Sequence, residues 1–190
     1  MFIGREKELA DLNAMYTEDK FQLFVLYGRR RVGKTTLLNE FCRGKDSIFY
    51  SAEQSNNKLN LEKFSSLVFS FYGETTLEPF SSWENALTYI DNRQANKRLV
   101  LVFDEFPYLV RKNKALLSEF QHLIDHKLQY GKLFIVLCGS YMGFMEKEIP
   151  QPKDNEVLVK LEYVGICGSD MHYYETGRIG DYVVEPPFVL

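Results

Sequence analysis

Short apolar runs alternate with helically spaced stretches through residues 1–140. In GREKELADLNAMY, Leu9, Leu12 and Met15 recur three apart, which predicts a first helix. FQLFVLY (Phe21–Tyr27) is a short apolar run with a turn behind it, the mark of a buried strand. KTTLLNEF returns to helical spacing through Leu37, Leu38 and Phe41, and SIFYSA (Ser47–Ala52) predicts a second strand. Helical patterns follow at Leu59–Tyr72 and Trp83–Ile90. LVLVFDE (Leu99–Glu105) is the strongest strand, five apolar residues closing on two acids. KALLSEFQHLIDHKL is amphipathic, and LFIVLCGS (Leu133–Ser140) predicts a fourth buried strand. Continuous apolar strands separated by helices imply an α/β fold whose parallel sheet is covered on both faces.

That pattern stops after GSYMGFMEKEI. The following EVLVKLEYVG alternates in its first half and has no helix before it, so it belongs to another architecture, a short irregular β appendage. The expected organisation is a core over 1–149, a junction at Pro150-Gln151-Pro152, and a separate segment over 153–190. Charge sharpens the division. Residues 1–150 hold 20 Lys+Arg against 19 Asp+Glu, whereas residues 151–190 hold 3 against 7.

The whole chain has 190 residues, a net charge of −3, 45% hydrophobic and 26% charged residues. This composition can bury a sizeable core, and no global basic field supports nucleic-acid binding. Cys42, Cys138 and Cys167 are odd in number and far apart, which argues against a disulfide framework and for a reducing compartment. Charges occupy the first residues where a leader needs an apolar run, and no run of about 18 apolar residues occurs. The expectation is a soluble, cytoplasmic protein without membrane association.

The sharpest chemistry lies in Gly28-Arg-Arg-Arg-Val-Gly33-Lys34-Thr35, a full match to G-x-x-x-x-G-K-[ST]. Glycines let the backbone turn tightly, so that successive N–H groups point at phosphate oxygens. The helix that follows aims its positive N-terminal end at the same anion. Lys34 would neutralise β/γ-phosphate charge, and the Thr35 hydroxyl would ligate Mg²⁺. Asp104 and Glu105 end a strand at the sheet's C-terminal edge, where open α/β folds bind ligands. There Asp104 would hold Mg²⁺ through water, and Glu105 would polarise the attacking water. Ser140, at the tip of the fourth strand, could sense a γ-phosphate or be an ordinary strand-ending serine; spacing alone does not separate these. Arg29, Arg30 and Arg31 could form a nucleic-acid patch, but proximity to phosphate or a solvated turn explains them as well.

FIGREKELADL, LYGRRRVGKTTLL, LVFDEFPYL and CGSYMGFME together resemble the prokaryotic AAA+-related P-loop ATPases of archaeal type, over essentially all of residues 1–149. The resemblance implies a P-loop NTPase core that binds ATP and Mg²⁺. Gly28, Arg29, Arg30, Arg31, Val32, Gly33, Lys34, Thr35 and Thr36 would form the phosphate cradle. Phe2, Gly4 and Arg5 would lie near the adenine, and Ser140 would take the sensor role. In that family a fifth strand, a helical lid with a second arginine sensor and often a nuclease-like domain follow. No counterpart is legible here, so the core is expected to be incomplete and without a lid. ATP binding with weak or regulated Mg²⁺-dependent hydrolysis is the expected function. A nucleotide-binding switch without turnover is the alternative, and self-association is open.

NEVLVKLEYVGICGSDMHYYETGRIGDYVVEPPFVL resembles the start of zinc-dependent medium-chain dehydrogenases of the sorbitol and xylitol group, part of a GroES-like barrel. By that resemblance Cys167 is a ligand of catalytic zinc, and Ser169 and His172 line an alcohol pocket. The cluster Cys167, Asp170 and His172 is a poor zinc site by itself, because three or four ligands must converge. No dinucleotide fingerprint is present. An inactive dehydrogenase fragment with zinc unbound is therefore expected, and the chain reads as a chimera.

Overall fold

The computed structural model describes residues 4–74, 78–94, 97–111, 113–140, 145, 156–161, 178–179 and 182–183, the last three stretches by backbone only. Helix α1 (Glu6–Thr17) leads into strand β1 (Gln22–Gly28), then α2 (Lys34–Cys42) and β2 (Ser47–Ser51). Two helices, α3 (Asn57–Phe71) and α4 (Trp83–Arg93), precede β3 (Leu99–Asp104). A single turn α5 (Pro107–Val110), helix α6 (Ala115–His126) and a 3₁₀ turn (Leu128–Tyr130) then lead to β4 (Leu133–Gly139). Beyond it lie β5 (Glu156–Leu161) and a two-residue antiparallel pair, β6 (Arg178–Ile179) and β7 (Tyr182–Val183).

Local chemistry explains several boundaries. The Asn56 and Ser82 side chains accept hydrogen bonds from the Leu59 and Asn85 N–H groups, capping α3 and α4. Gly33, in the left-handed region at φ 79°, lets the loop after β1 turn directly into α2. The turn α5 begins on Pro107, whose missing N–H costs nothing at a first helical position.

The main sheet has the order β2-β3-β4-β1-β5, every neighbour parallel. All residues of β1, β3 and β4 are buried, the expected state of parallel strands covered on both faces. The period of two sends alternate side chains into two cores. Leu23, Val25, Leu101, Phe103, Ile135 and Leu137 face one core, shared with α3, α4 and α6. Phe24, Leu26, Val100, Val102, Phe134 and Val136 face the other, shared with α1 and α2. The architecture is a three-layer α/β/α sandwich.

The four strands read from apolar runs are present within one residue of their expected bounds. The fifth is a departure. Residues 156–161, assigned by pattern to a separate appendage, pair in parallel with β1 and extend the same sheet. Their extended character is legible in EVLVKL, but a partner some 130 residues earlier is not. Phe2 and residues 162–177, with Cys167, Ser169, Asp170 and His172, lie outside the described residues.

Candidate nucleotide site

Three neighbouring strands, in the order β3-β4-β1, end at one edge of the sheet and carry the candidate residues there. Gly28 ends β1, Asp104 ends β3, and Ser140 follows Gly139 at the end of β4. Parallel pairing puts all three C-termini on the same side, which brings residues more than 100 positions apart to one corner. Thr35, in the first turn of α2, donates its hydroxyl to Asp104 Oδ2 at 2.8 Å. Asp104 is buried, and its Oδ1 accepts the Glu105 N–H at 3.0 Å.

Lys34 is buried at 6% exposure. Its Nζ donates to the carbonyls of Gly28 and Arg29 at 2.8 and 2.7 Å, so the ammonium lies across the mouth of its own loop. Burial pushes this amine below the ordinary lysine value, while Cys138, Glu105 and Asp104 act in the opposite direction. A cation drawn from water and hydrogen-bonded to carbonyl dipoles is well suited to a multivalent anion. Arg5 is also buried, and its guanidinium donates to the Val32 carbonyl at 2.8 Å, fastening the start of α1 to the phosphate loop. Gly4 is exposed, and its N–H bonds the Glu6 carboxylate at 3.0 Å.

Glu105 has φ 53°, in the left-handed region that side-chain-bearing residues avoid at about 1–3 kcal/mol. Its neighbours explain why it is held there. Asp104 is fixed in the sheet, while Phe106 is fully buried against Phe103 and Phe120, with its N–H on the Cys138 carbonyl at 2.9 Å. The chain must reverse between them. The Ser140 hydroxyl lies 3.0 and 3.2 Å from the two carboxylate oxygens of Glu105 and donates to them. Cys138 is buried beside Asp104, and burial, reinforced by that carboxylate, pushes its thiol well above the ordinary range.

Glu105 and Ser140 open onto a cleft of about 270 Å³, which Arg30, Gln54, Pro107, Tyr108 and Arg111 also line. Arg30 reaches across it to donate to the Tyr108 hydroxyl at 2.9 Å. Arg29, Arg31, Thr35 and Thr36 are exposed at the loop rim, and Val32 is packed beneath it. The structure thus gathers Gly28, Lys34, Thr35, Asp104, Glu105 and Ser140 at one place, and turns Arg30 and Arg5 to protein partners. Sequence reasoning missed Gln54 and Tyr108. The one available signal was their position just after the ends of β2 and β3.

A hydroxyl beside a carboxylate is a pair of hard oxygen donors, the partial set with which Mg²⁺ is held while it keeps waters and substrate phosphates as its other ligands. Among the described residues no three His, Cys, Asp or Glu side chains converge as a closed metal cage. Also among them, no helix is long and apolar enough to cross a membrane.

Comparison with known proteins agrees with this geometry. Residues 2–157 match the family described as an ATPase domain predominantly from Archaea. An uncharacterized protein of Methanocaldococcus jannaschii is 31% identical over 150 residues, 78% of this chain but 32% of that protein. This chain therefore spans about a third of that relative's length. A Walker-type ATPase of Pyrococcus abyssi superposes with a TM-score of 0.59 at 23% identity, covering 84% of this chain and 54% of that one. That likeness establishes a shared fold. Separately, 42 residues, 22% of this chain, are 64% identical to sorbitol dehydrogenase of Bos taurus, of which they cover 12%.

Proposed function

The chain belongs to the family of ATPase domains found predominantly in Archaea, and from that premise we propose that it binds ATP with Mg²⁺ at residues 28–36 and hydrolyses it slowly or under control. The observation that carries this reading is the Thr35–Asp104 hydrogen bond of 2.8 Å. It joins the two halves of a phosphate and metal site contributed by segments 69 residues apart.

Each residue has a role that its present contacts support. Loop N–H groups and the start of α2 receive the phosphates. Lys34 exchanges two carbonyl partners for phosphate oxygens, a stronger charge-assisted pairing. Thr35 and Asp104 would hold Mg²⁺, which would supply charge neutralisation on the phosphates. Glu105 orients the attacking water, and Ser140 fixes the Glu105 carboxylate and reads the γ-phosphate side of the cleft. Arg5 keeps the loop's backbone in place through Val32.

The Ser140–Glu105 hydrogen bonds also favour a second reading, a switch that binds ATP without turning it over. A carboxylate that shares its lone pairs with a hydroxyl has less acceptor capacity left to position a water. Equilibrium binding of a fluorescent ATP analogue, measured beside steady-state phosphate release, separates the two. Turnover requires both signals, and a switch gives binding alone. Absence of binding by a folded chain overturns both readings.

We further propose that the junction at 150–152 joins two ancestries, the nucleotide core and a dehydrogenase-like stretch over 153–190. The sorbitol dehydrogenase match supports this because it covers only 12% of that enzyme. Zinc at Cys167 would need ligands from elsewhere to complete a tetrahedral set.

A further inference from the structure

The strand that carries the phosphate loop lacks every feature that lets a strand stand at the edge of a sheet. Gln22–Gly28 is seven residues long, buried throughout, and contains no charged residue and no proline. Edge strands are normally blunted by charge, proline, bulges or shortness. The opposite edge shows the contrast, because β2 has five residues and alternates buried with more accessible positions. Segment 156–161 covers the β1 edge in a parallel register from Leu23↔Glu156 to Gly28↔Leu161. It contains Glu156 and Lys160, charges suited to an outermost strand. The connection from Gly139 to Glu156 has 16 residues, above the dozen or so that a parallel crossover needs. The family match ends at residue 157, so four of the six paired residues lie beyond it. They fall within the stretch that resembles a dehydrogenase.

We infer that the edge of β1 opposite β4 is a strand-acceptor surface, and that 156–161 closes it by backbone pairing, independently of the ancestry of its side chains. The register ends on Gly28, the first residue of the phosphate loop. Closure therefore holds the base of that loop, and seating of the strand and binding of nucleotide favour one another. Only this coupling rests on the nucleotide reading of the site.

Consecutive residues of a strand turn their N–H groups to opposite sides, so exactly half of the strand's N–H groups can face β1. Of Leu158→Pro and Val159→Pro, made separately in the full chain, one removes a ladder hydrogen bond and the other an outward N–H. The damaging variant should speed hydrogen exchange of the 22–28 amides at least tenfold, lower the melting temperature by about 5 °C, and weaken Mg-ATP binding by about tenfold. The other variant, and the conservative Val159→Ile, should remain close to wild type. A peptide of residues 154–163 added to the damaged variant should restore protection of 22–28. Two proline variants that both match wild type would overturn strand pairing. Two that are equally damaging would overturn its backbone basis, and failure of the peptide would overturn the acceptor surface. Unchanged nucleotide affinity in a variant that has lost protection would overturn the coupling alone. A wild-type chain that binds no nucleotide would overturn the reading of the site while the exchange asymmetry still decides the strand.

Discussion

Glu105 sits in a strained backbone conformation because both neighbours are committed elsewhere, Asp104 to the sheet and Phe106 to the α6 side of the core. Its carboxylate is nevertheless positioned, by Ser140, at the mouth of the cleft. The proposed role uses its charge rather than its size. Glu105→Gln should therefore retain nucleotide affinity within about twofold and reduce phosphate release by about a hundredfold or more. Side-by-side binding and phosphate-release assays check this, and undiminished release would assign the water to another residue. At this scale the sequence was only partly informative. The gathering of Lys34, Thr35, Asp104 and Glu105 at one corner was legible, because a loop of this pattern after one strand and an acid-ended second strand meet at the same edge of a parallel sheet. The directions of Arg30 and Arg5 were not legible. Spacing within a loop does not reveal that one guanidinium turns to Tyr108 and the other to Val32.

The elements fit through a few tight contacts, and Gly139 makes one of them. A Cβ placed there would lie 2.8 Å from both the Pro107 ring and the Met145 sulfur. The end of β4 thus abuts α5, which follows Glu105. Gly139→Ala must push α5 away or bend β4, and overpacking of this kind costs about 1–3 kcal/mol. The melting temperature should fall by several degrees, and turnover should fall further than stability alone explains, since Glu105 and Ser140 flank the clash. A variant with wild-type melting and activity would show that this contact is compliant. The continuous apolar runs made β1, β3 and β4 legible, because strands buried on both faces admit little else. The turn α5 escaped notice since four residues cannot show a helical period. The register of β5 escaped as well, because its pairing with β1 is set by chain closure and not by any local pattern.

Over the whole molecule, burial raises the acid groups Cys138, Tyr50 and Tyr72 above their ordinary values of 9.0, 10.0 and 10.0. A raised acid retains its proton in the folded state while the unfolded chain gives it up. Stability is therefore fully present below the unfolded values and is lost as pH rises through and beyond them. Urea midpoints measured from pH 8 to pH 11 should decline, with the decline beginning near pH 9 and steepening above pH 10. The amines of Lys34 and Lys45 are lowered by burial and act in the opposite direction over the same range, so flat midpoints would mean that these amines offset the raised acids.

The central claim, that the corner formed by β1, β3 and β4 is an ATP site, meets its most direct test in a thermal melt of the full chain with and without Mg-ATP. A ligand held only by the folded state adds about 2.7 kcal/mol at a hundredfold excess over its Kd. For a chain of this length that raises the melting temperature by roughly 5–10 °C. Wild type should show this rise, and Lys34→Ala, folded but without the ammonium proposed to meet the phosphates, should show none. A folded wild type that melts at the same temperature with and without Mg-ATP, or a Lys34→Ala variant stabilised as much as wild type, would contradict the account.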